Sequence, residues 1–451
     1  MKDGPQHFAS LTKQTDWQPF CVSGKVHRVS GFLIEATGLK AKIGSLCSIY
    51  CSDDVQITAE VIGFQADITY LMTSEDVIGL SPGAGIVQLN EFPKIPLGDG
   101  LLGRVINSEG KPLDTKGDLT NVTLSLLKFD TINPLSRALI NSPMDVGVKT
   151  INSLLTLGRG QRVGLFAGTG VGKSILLGMI TKYAEADVVV ISLVGERGRE
   201  VKEFIEENVG QQALSKTVIV ASPADSSPLS RIKAAETATF IAEHFKNKNK
   251  RVLLLMDSIT RYAHALRELG LALGEPPTAK GYPPSVFAKI PKLIERAGNG
   301  NTQDSSITGI YTVLTEGDDI HDPVADCARG ILDGHIVLSR QIAEEGHYPA
   351  IDLEQSISRV MDRVIDKDHL KLAKLFKRCF IKYRQNKDYI TLGAYQKGAD
   401  PELDLILEKK PLMYAFLQQD ANAKFDFETC KNLLKEFECF SKFSAAAKVN
   451  E

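Results

Sequence analysis

The apolar and polar positions along the chain fall into three successive regimes. In residues 21–91 short β-type runs at 26–34, 48–50, 57–64 and 86–89 alternate with Gly, Asp and Ser turns. Their close spacing, without a long helical period, predicts a small barrel or sandwich. Strand and turn signals at 101–114 lead into a second regime. There apolar runs at 163–166, 188–194, 217–221, 252–256 and 307–314 alternate with helical patterns. The clearest helical pattern is 230–245, with Ile232, Ala235, Ala238, Ile241 and Phe245 along one side. Continuous apolar strands alternating with helices predict an α/β domain whose mainly parallel sheet is covered on both faces. Beyond about residue 364 the strands stop. Leu372, Leu375, Phe376, Cys379, Phe380 and Tyr383 recur at helical spacing, and Phe437 and Phe440 extend the stripe of Leu433 and Leu434. Asp400–Pro401 reads as an N-cap followed by a first-turn proline. The expected organisation is therefore a polar segment 1–20, a β-barrel 21–95, an α/β domain 96–364 and a helical domain 365–451. In the first segment Phe8, Leu11 and Trp17 are spaced for a short amphipathic helix. Both a partner-docking segment and a frayed end fit that pattern.

Composition narrows the function classes. The 451 residues are 43% apolar and 24% charged, which is globular, and the net charge of −2 gives no electrostatic case for nucleic acid or a membrane surface. The barrel region does not interleave aromatic and basic residues as a base-stacking platform would, so an assembly collar is the better reading. Seven cysteines include no CxxC, and Cys47 and Cys51 lack a partner pair at zinc spacing. They read as reduced side chains of a cytosolic protein. No long apolar stretch at the N-terminus suggests a signal peptide, and no run is long enough to span a bilayer.

The candidate chemistry centres on 162–174. A short apolar strand runs into Ala167-Gly168-Thr169-Gly170-Val171-Gly172-Lys173-Ser174, and a helix follows. Strand, glycine turn and helix N-terminus make a phosphate cradle: backbone N–H groups turn inward and the helix dipole favours an anion. Lys173 supplies a point charge for the β- and γ-phosphates, and the Ser174 hydroxyl is a magnesium ligand. One departure stands out: the first glycine of G-x-x-x-x-G-K-[ST] is Ala167. The run 252–256 ends in Asp257, the strand-then-acid pattern that holds magnesium beside such a loop. The run 188–194 ends in Gly195-Glu196-Arg197-Gly198-Arg199-Glu200. At that sheet edge a carboxylate can orient an attacking water and an arginine can answer phosphate charge.

These motifs occur in order with six others. They are Leu-Leu-Leu-Met-Asp-Ser-Ile-Thr-Arg-Tyr (253–262), Gly-Glu-Pro-Pro (274–277), Gly-Tyr-Pro-Pro-Ser-Val-Phe (281–287), Leu-Thr-Glu-Gly-Asp-Asp (314–319), Gly-His-Tyr-Pro-Ala-Ile-Asp (346–352) and Ser-Ile-Ser-Arg-Val-Met (356–361). Together, over roughly residues 100–365, the chain resembles the type III export ATPases, relatives of the catalytic subunit of rotary ATP synthases. Gly-Arg-Gly-Gln-Arg (158–162), Phe-Ala-Gly before the loop and Tyr262 resemble the flagellar branch, in which alanine at 167 is usual. The resemblance implies a RecA-like P-loop core between an N-terminal barrel and C-terminal helices. It implies that residues 167–174 bind nucleotide, that Lys173 and Ser174 meet phosphate and Mg²⁺, that Glu196 polarises water and that Asp257 holds the metal. Arg197 and Arg261 match arginines near the γ-phosphate. Arg359 matches a finger inserted by a neighbouring subunit, Tyr348 an aromatic stacked on adenine, and Phe416 a second such aromatic.

The function implied is ATP hydrolysis by a cytoplasmic homohexamer, peripheral to the inner face of the membrane, that energises flagellar protein export. Its implied partners are ATP, a stator-like regulator, a stalk-like coupling protein, the export gate, chaperones and export substrates, with no nucleic acid. The alternatives are an injectisome ATPase, a non-hydrolysing structural subunit of a rotary ATPase and a RecA-like RNA translocase. Glu196 argues against the second, and the barrel composition against the third.

Overall fold

In the computed structural model, residues 23–51, 55–75, 77–89, 91–130, 133–302, 304–315 and 322–443 are described. The amphipathic segment 1–20 lies outside them. The chain divides into two compact units, Met1–Pro93 and Lys94–Glu451.

The first unit is a closed barrel of β1 (Ser23–Ser30), β2 (Leu33–Thr37), β3 (Leu46–Tyr50), β4 (Gln56–Gln65), β5 (Ile68–Thr73) and β6 (Gly85–Gln88). The order is β1-β2-β5-β4-β3-β6, and β6 pairs back onto β1. Alternate residues point inward: Cys47 and Ile49 on β3, and Ile57, Ala59 and Val61 on β4, are buried with Val26, Ile34, Leu71 and Ile86. The run expected at 26–34 is two strands rather than one. Gly31, at φ 57°, turns the chain between Ser30 and Leu33. Positive φ is open to glycine without a Cβ clash, so the hairpin forms there.

In the second unit, β7 (Lys94–Leu97) pairs with β9 (Thr123–Leu126), and β10 (Pro143–Met144) with β11 (Leu157–Gly158). The main sheet comprises β8 (Val105–Ile106), β12 (Arg162–Ala167), β13 (Val188–Val194), β14 (Thr217–Ser222), β15 (Arg251–Asp257), β16 (Gly298–Asn299), β17 (Ser306–Leu314), β18 (Gly334–Leu338) and β19 (Ile351–Ser358). Its order is β19-β18-β12-β17-β15-β13-β14-β8, with β16 beside β17. The pairs from β18 to β8 are parallel, whereas β19 runs antiparallel to β18. All seven residues of β13 and all six of β14 are buried, which is why those strands read as unbroken apolar runs.

Helices cover the sheet. Pro228–Asn247 is capped by Ser227, whose hydroxyl accepts from Ser230 N, and buries Ile232, Ala235, Ala238, Ile241 and Phe245. The C-terminal helices are Lys367–Thr391, Pro401–Leu417 and Phe427–Leu434. Asp400 caps the second by accepting from the N–H groups of Glu402 and Leu403, with Pro401 in the first turn. Phe376, Phe416 and Phe437 of this region belong to the same hydrophobic core as Val163 and Leu165 under the sheet. No helix among the described residues is long and apolar enough to cross a membrane.

Candidate nucleotide site

The parallel strands deliver their C-terminal ends to one edge. β12 ends at Ala167, the loop follows, and the helix Lys173–Tyr183 begins with no side-chain cap, leaving its first N–H groups for a ligand. Gly170 and Gly172 take φ of 78° and 88°, the left-handed turns that aim the loop's N–H groups inward. Ala167 instead pairs with Leu314 and Leu338 as the last residue of the strand. Extended backbone suits any residue, so alanine stands there without strain, and the departure from the glycine pattern has no structural cost.

Three charged groups converge beside the loop. Lys173 Nζ lies 2.7 Å from Asp257 Oδ1 and 3.3 Å from Glu196 Oε1. β13 and β15 pair with Leu193 opposite Asp257, so Glu196, just past the end of β13, comes to the same place. Burial works against the Lys173 ammonium, but the charges of Asp257 and Glu196 outweigh it and hold its pKa above the ordinary lysine value. Burial raises the Glu196 carboxyl, opposed by Lys173 and reinforced by the like charge of Asp257. With two carboxylates around one ammonium, the cluster is short of positive charge.

The other candidates are placed around this cluster to different degrees. Arg261, behind its helix cap Ser258, packs against the Gly195 turn, and its buried Nε has no hydrogen-bond partner among the described residues. Tyr348 is 43% exposed, and a Cβ on Gly172 would lie 3.4 Å from its ring, so a free aromatic face stands beside the loop. Ser174 is exposed in the first turn of the helix. Arg197 is not in the cluster: it is exposed and pairs with Glu200 at 3.4 Å. Phe416 corrects an expectation. Its ring is 6% exposed and packed on Phe376 and Phe437, with centroids 5.2 and 5.4 Å away. A ring sealed in the core has no face free to stack on adenine. Arg359 is exposed at the opposite edge of the sheet. Its N–H donates to Asp333 O, and Asp333 holds Arg162 at the start of β12, whereas the loop lies at that strand's end. Six strand residues put the two ends roughly 20 Å apart.

The arrangement agrees with what the chain is similar to. Residues 147–358 match the family model of the ATP synthase alpha/beta family, nucleotide-binding domain, and residues 365–436 match the T3SS EscN ATPase C-terminal domain. A flagellum-specific ATP synthase from Pseudomonas aeruginosa is 54% identical over 401 residues, covering 88% of this chain and 89% of that protein. The chain belongs to the flagellum-specific ATP synthase family. Solved relatives of the family share the fold. The assembled ATPase EscN from the enteropathogenic E. coli type III secretion system is 44% identical, covers 92% of this chain and 99% of its own, and superposes with a TM-score of 0.87. EscN in complex with its central stalk EscO gives 0.84 at 43% identity, with the same coverage.

One residue of the site escaped the sequence reading. Thr312, fully buried on β17 between β12 and β15, donates through Oγ1 to Asp257 Oδ1 at 2.6 Å. Nothing in an apolar strand distinguishes a structural threonine from a positioning one. Thr312→Val keeps the volume and removes the donor to a charged acceptor, so it should destabilise the chain by about 1.5–3 kcal/mol. Denaturant unfolding measures this, and an unchanged midpoint would show that Asp257 does not depend on Thr312.

Proposed function

We propose that this chain hydrolyses Mg·ATP as a ring of six copies and drives export of flagellar proteins. The observation that carries the hydrolytic reading is the Glu196 carboxylate held against Lys173 and Asp257. A subunit that only binds nucleotide would not need a base there. The loop N–H groups bind the β- and γ-phosphates, and Lys173 exchanges its carboxylate partners for phosphate oxygens. Ser174 and Asp257 offer hard oxygen donors of the kind Mg²⁺ takes when most of its shell is water and phosphate. Glu196 accepts a hydrogen bond from the water, which attacks the γ-phosphorus as the bond to the β,γ-bridging oxygen breaks. ADP and phosphate leave, and the water's proton passes to Glu196 or to solvent. Tyr348 offers its free face to adenine.

Arg359 is too far from its own loop to meet that nucleotide, which supports a site completed by the next copy. An assembled relative, EscN, supports the ring, and the EscN–EscO complex supports a stalk-like partner in its centre. Flagellar rather than effector export is favoured by identities of 54% and 50% to two flagellum-specific relatives against 43–47% to solved type III secretion ATPases. Purification from the native cell discriminates the two. Rod, hook and filament subunits should accompany the chain, and secreted effectors in their place would assign it to an injectisome.

A further inference from the structure

Leu135 and Leu139 are 94% and 80% exposed, yet the strap that carries them is tied down along its length. Asn133 Oδ1 accepts from Leu135 N at 3.0 Å. Arg137 donates to Ala297 O at 2.7 Å and to Glu295 O at 2.6 Å, and Ala138 N donates to Gly300 O at 2.8 Å. Asn299 Nδ2 donates to the carbonyls of Ala138 and Leu139, both at 3.2 Å. The backbone is thus fixed on both sides of each leucine while the side chains stand in water. Single exposed leucines are ordinary, but two on a rigid strap make a preorganised apolar contact, with little ordering entropy left to lose on binding.

The strap meets the segment that bears Arg359. Ile140, next to Leu139, and Val360, next to Arg359, both close on Gly158, where an added methyl group would collide with Ile140 and press on Val360. We propose that Leu135 and Leu139 are the apolar anchor of the contact between copies, seating on the neighbouring subunit and setting the position from which Arg359 reaches its nucleotide. The occupant is a second copy of this chain because the strap that carries the exposed leucines meets the segment of the exposed finger at Gly158, and a finger needs a neighbour's loop. This rests on the shared-site reading above.

The test compares three proteins by ultracentrifugation and ATPase assay across a concentration series: the parent, Leu135→Ser/Leu139→Ser and Arg359→Ala. The serine variant should unfold at the parent's midpoint, since both side chains are solvated. Its half-assembly concentration should rise roughly tenfold or more, as loss of a central apolar anchor does at other interfaces. Its activity should return toward the parent's once enough protein is present, because the finger is intact. Arg359→Ala should assemble like the parent and stay inactive at every concentration. Leu135→Met/Leu139→Met should assemble as the parent does. If the serine variant assembles at the parent's concentration, the anchor assignment is wrong while the shared site stands. If the parent never assembles, or Arg359→Ala is fully active, the shared site and the anchor fall together.

Discussion

Glu196→Gln will bind nucleotide within a few-fold of the parent and lose turnover by ~10²–10⁴-fold, the usual contribution of a positioned acid–base group. The amide keeps the volume and a hydrogen-bonding oxygen, but it cannot take a proton from the attacking water. Folding should not suffer. Burial raises the Glu196 pKa, so its ionised form is disfavoured in the folded chain relative to the unfolded one. A carboxyl of that kind withdraws stability once the pH exceeds its unfolded value, and removing the charge should leave the unfolding temperature equal or higher. Lys173→Ala behaves differently. It strips the counter-charge from Asp257 and Glu196 at once and weakens binding as well as turnover. Lys173, with its raised pKa, contributes stability below the ordinary lysine pKa that fades as pH climbs through its folded value. The alanine variant is therefore less stable than the parent at neutral pH. Fluorescent-nucleotide titration, steady-state phosphate release and calorimetry separate these effects. Full turnover by Glu196→Gln would remove that residue from the mechanism.

Legibility in the sequence followed burial. Strands covered on both faces, such as β13 and β14, are continuous apolar runs and stand out. β18, buried at alternate positions in Gly334–Leu338, and its antiparallel neighbour β19 do not, and neither was expected. In the barrel, apolar Val26 and Val29 stand on one side of Gly31 and Phe32, Leu33 and Ile34 on the other, so one long run conceals a hairpin, and the signal of β5 is weaker still. The site shows the same division. Lys173, Glu196 and Asp257 each sit where a strand ends or a helix begins, and chain order alone brings such positions to one edge of a parallel sheet. Phe416 rests on the resemblance alone, and a matched position does not declare which side of its helix faces the core, which here takes the ring. Thr312 was invisible because threonine belongs in strands for reasons unrelated to Asp257.

The reach of Arg359 gives the largest expected effect of a residue outside the cluster. In one copy Arg359 is exposed, its guanidinium holds only the Arg329 carbonyl, at 3.5 Å, among the described residues, and its backbone lies at the far end of β12 from the loop. It cannot stabilise its own nucleotide, and a side chain so weakly held loses little when it moves to a neighbour. Activity per chain should therefore rise with concentration as rings form. Arg359→Ala should abolish the rise and cut turnover by ~10³–10⁵-fold with ATP affinity nearly unchanged, because such a finger answers charge that develops only in the transition state. Mixing the inactive Arg359→Ala and Lys173→Ala proteins sharpens the test. Some interfaces would pair an intact loop on one copy with an intact finger on the next, and partial activity should return above that of either protein alone. A ring that fires strictly in sequence would recover little, so the concentration series decides. Specific activity that is constant from monomer to hexamer, with Arg359→Ala as active as the parent, would place every catalytic group within one chain.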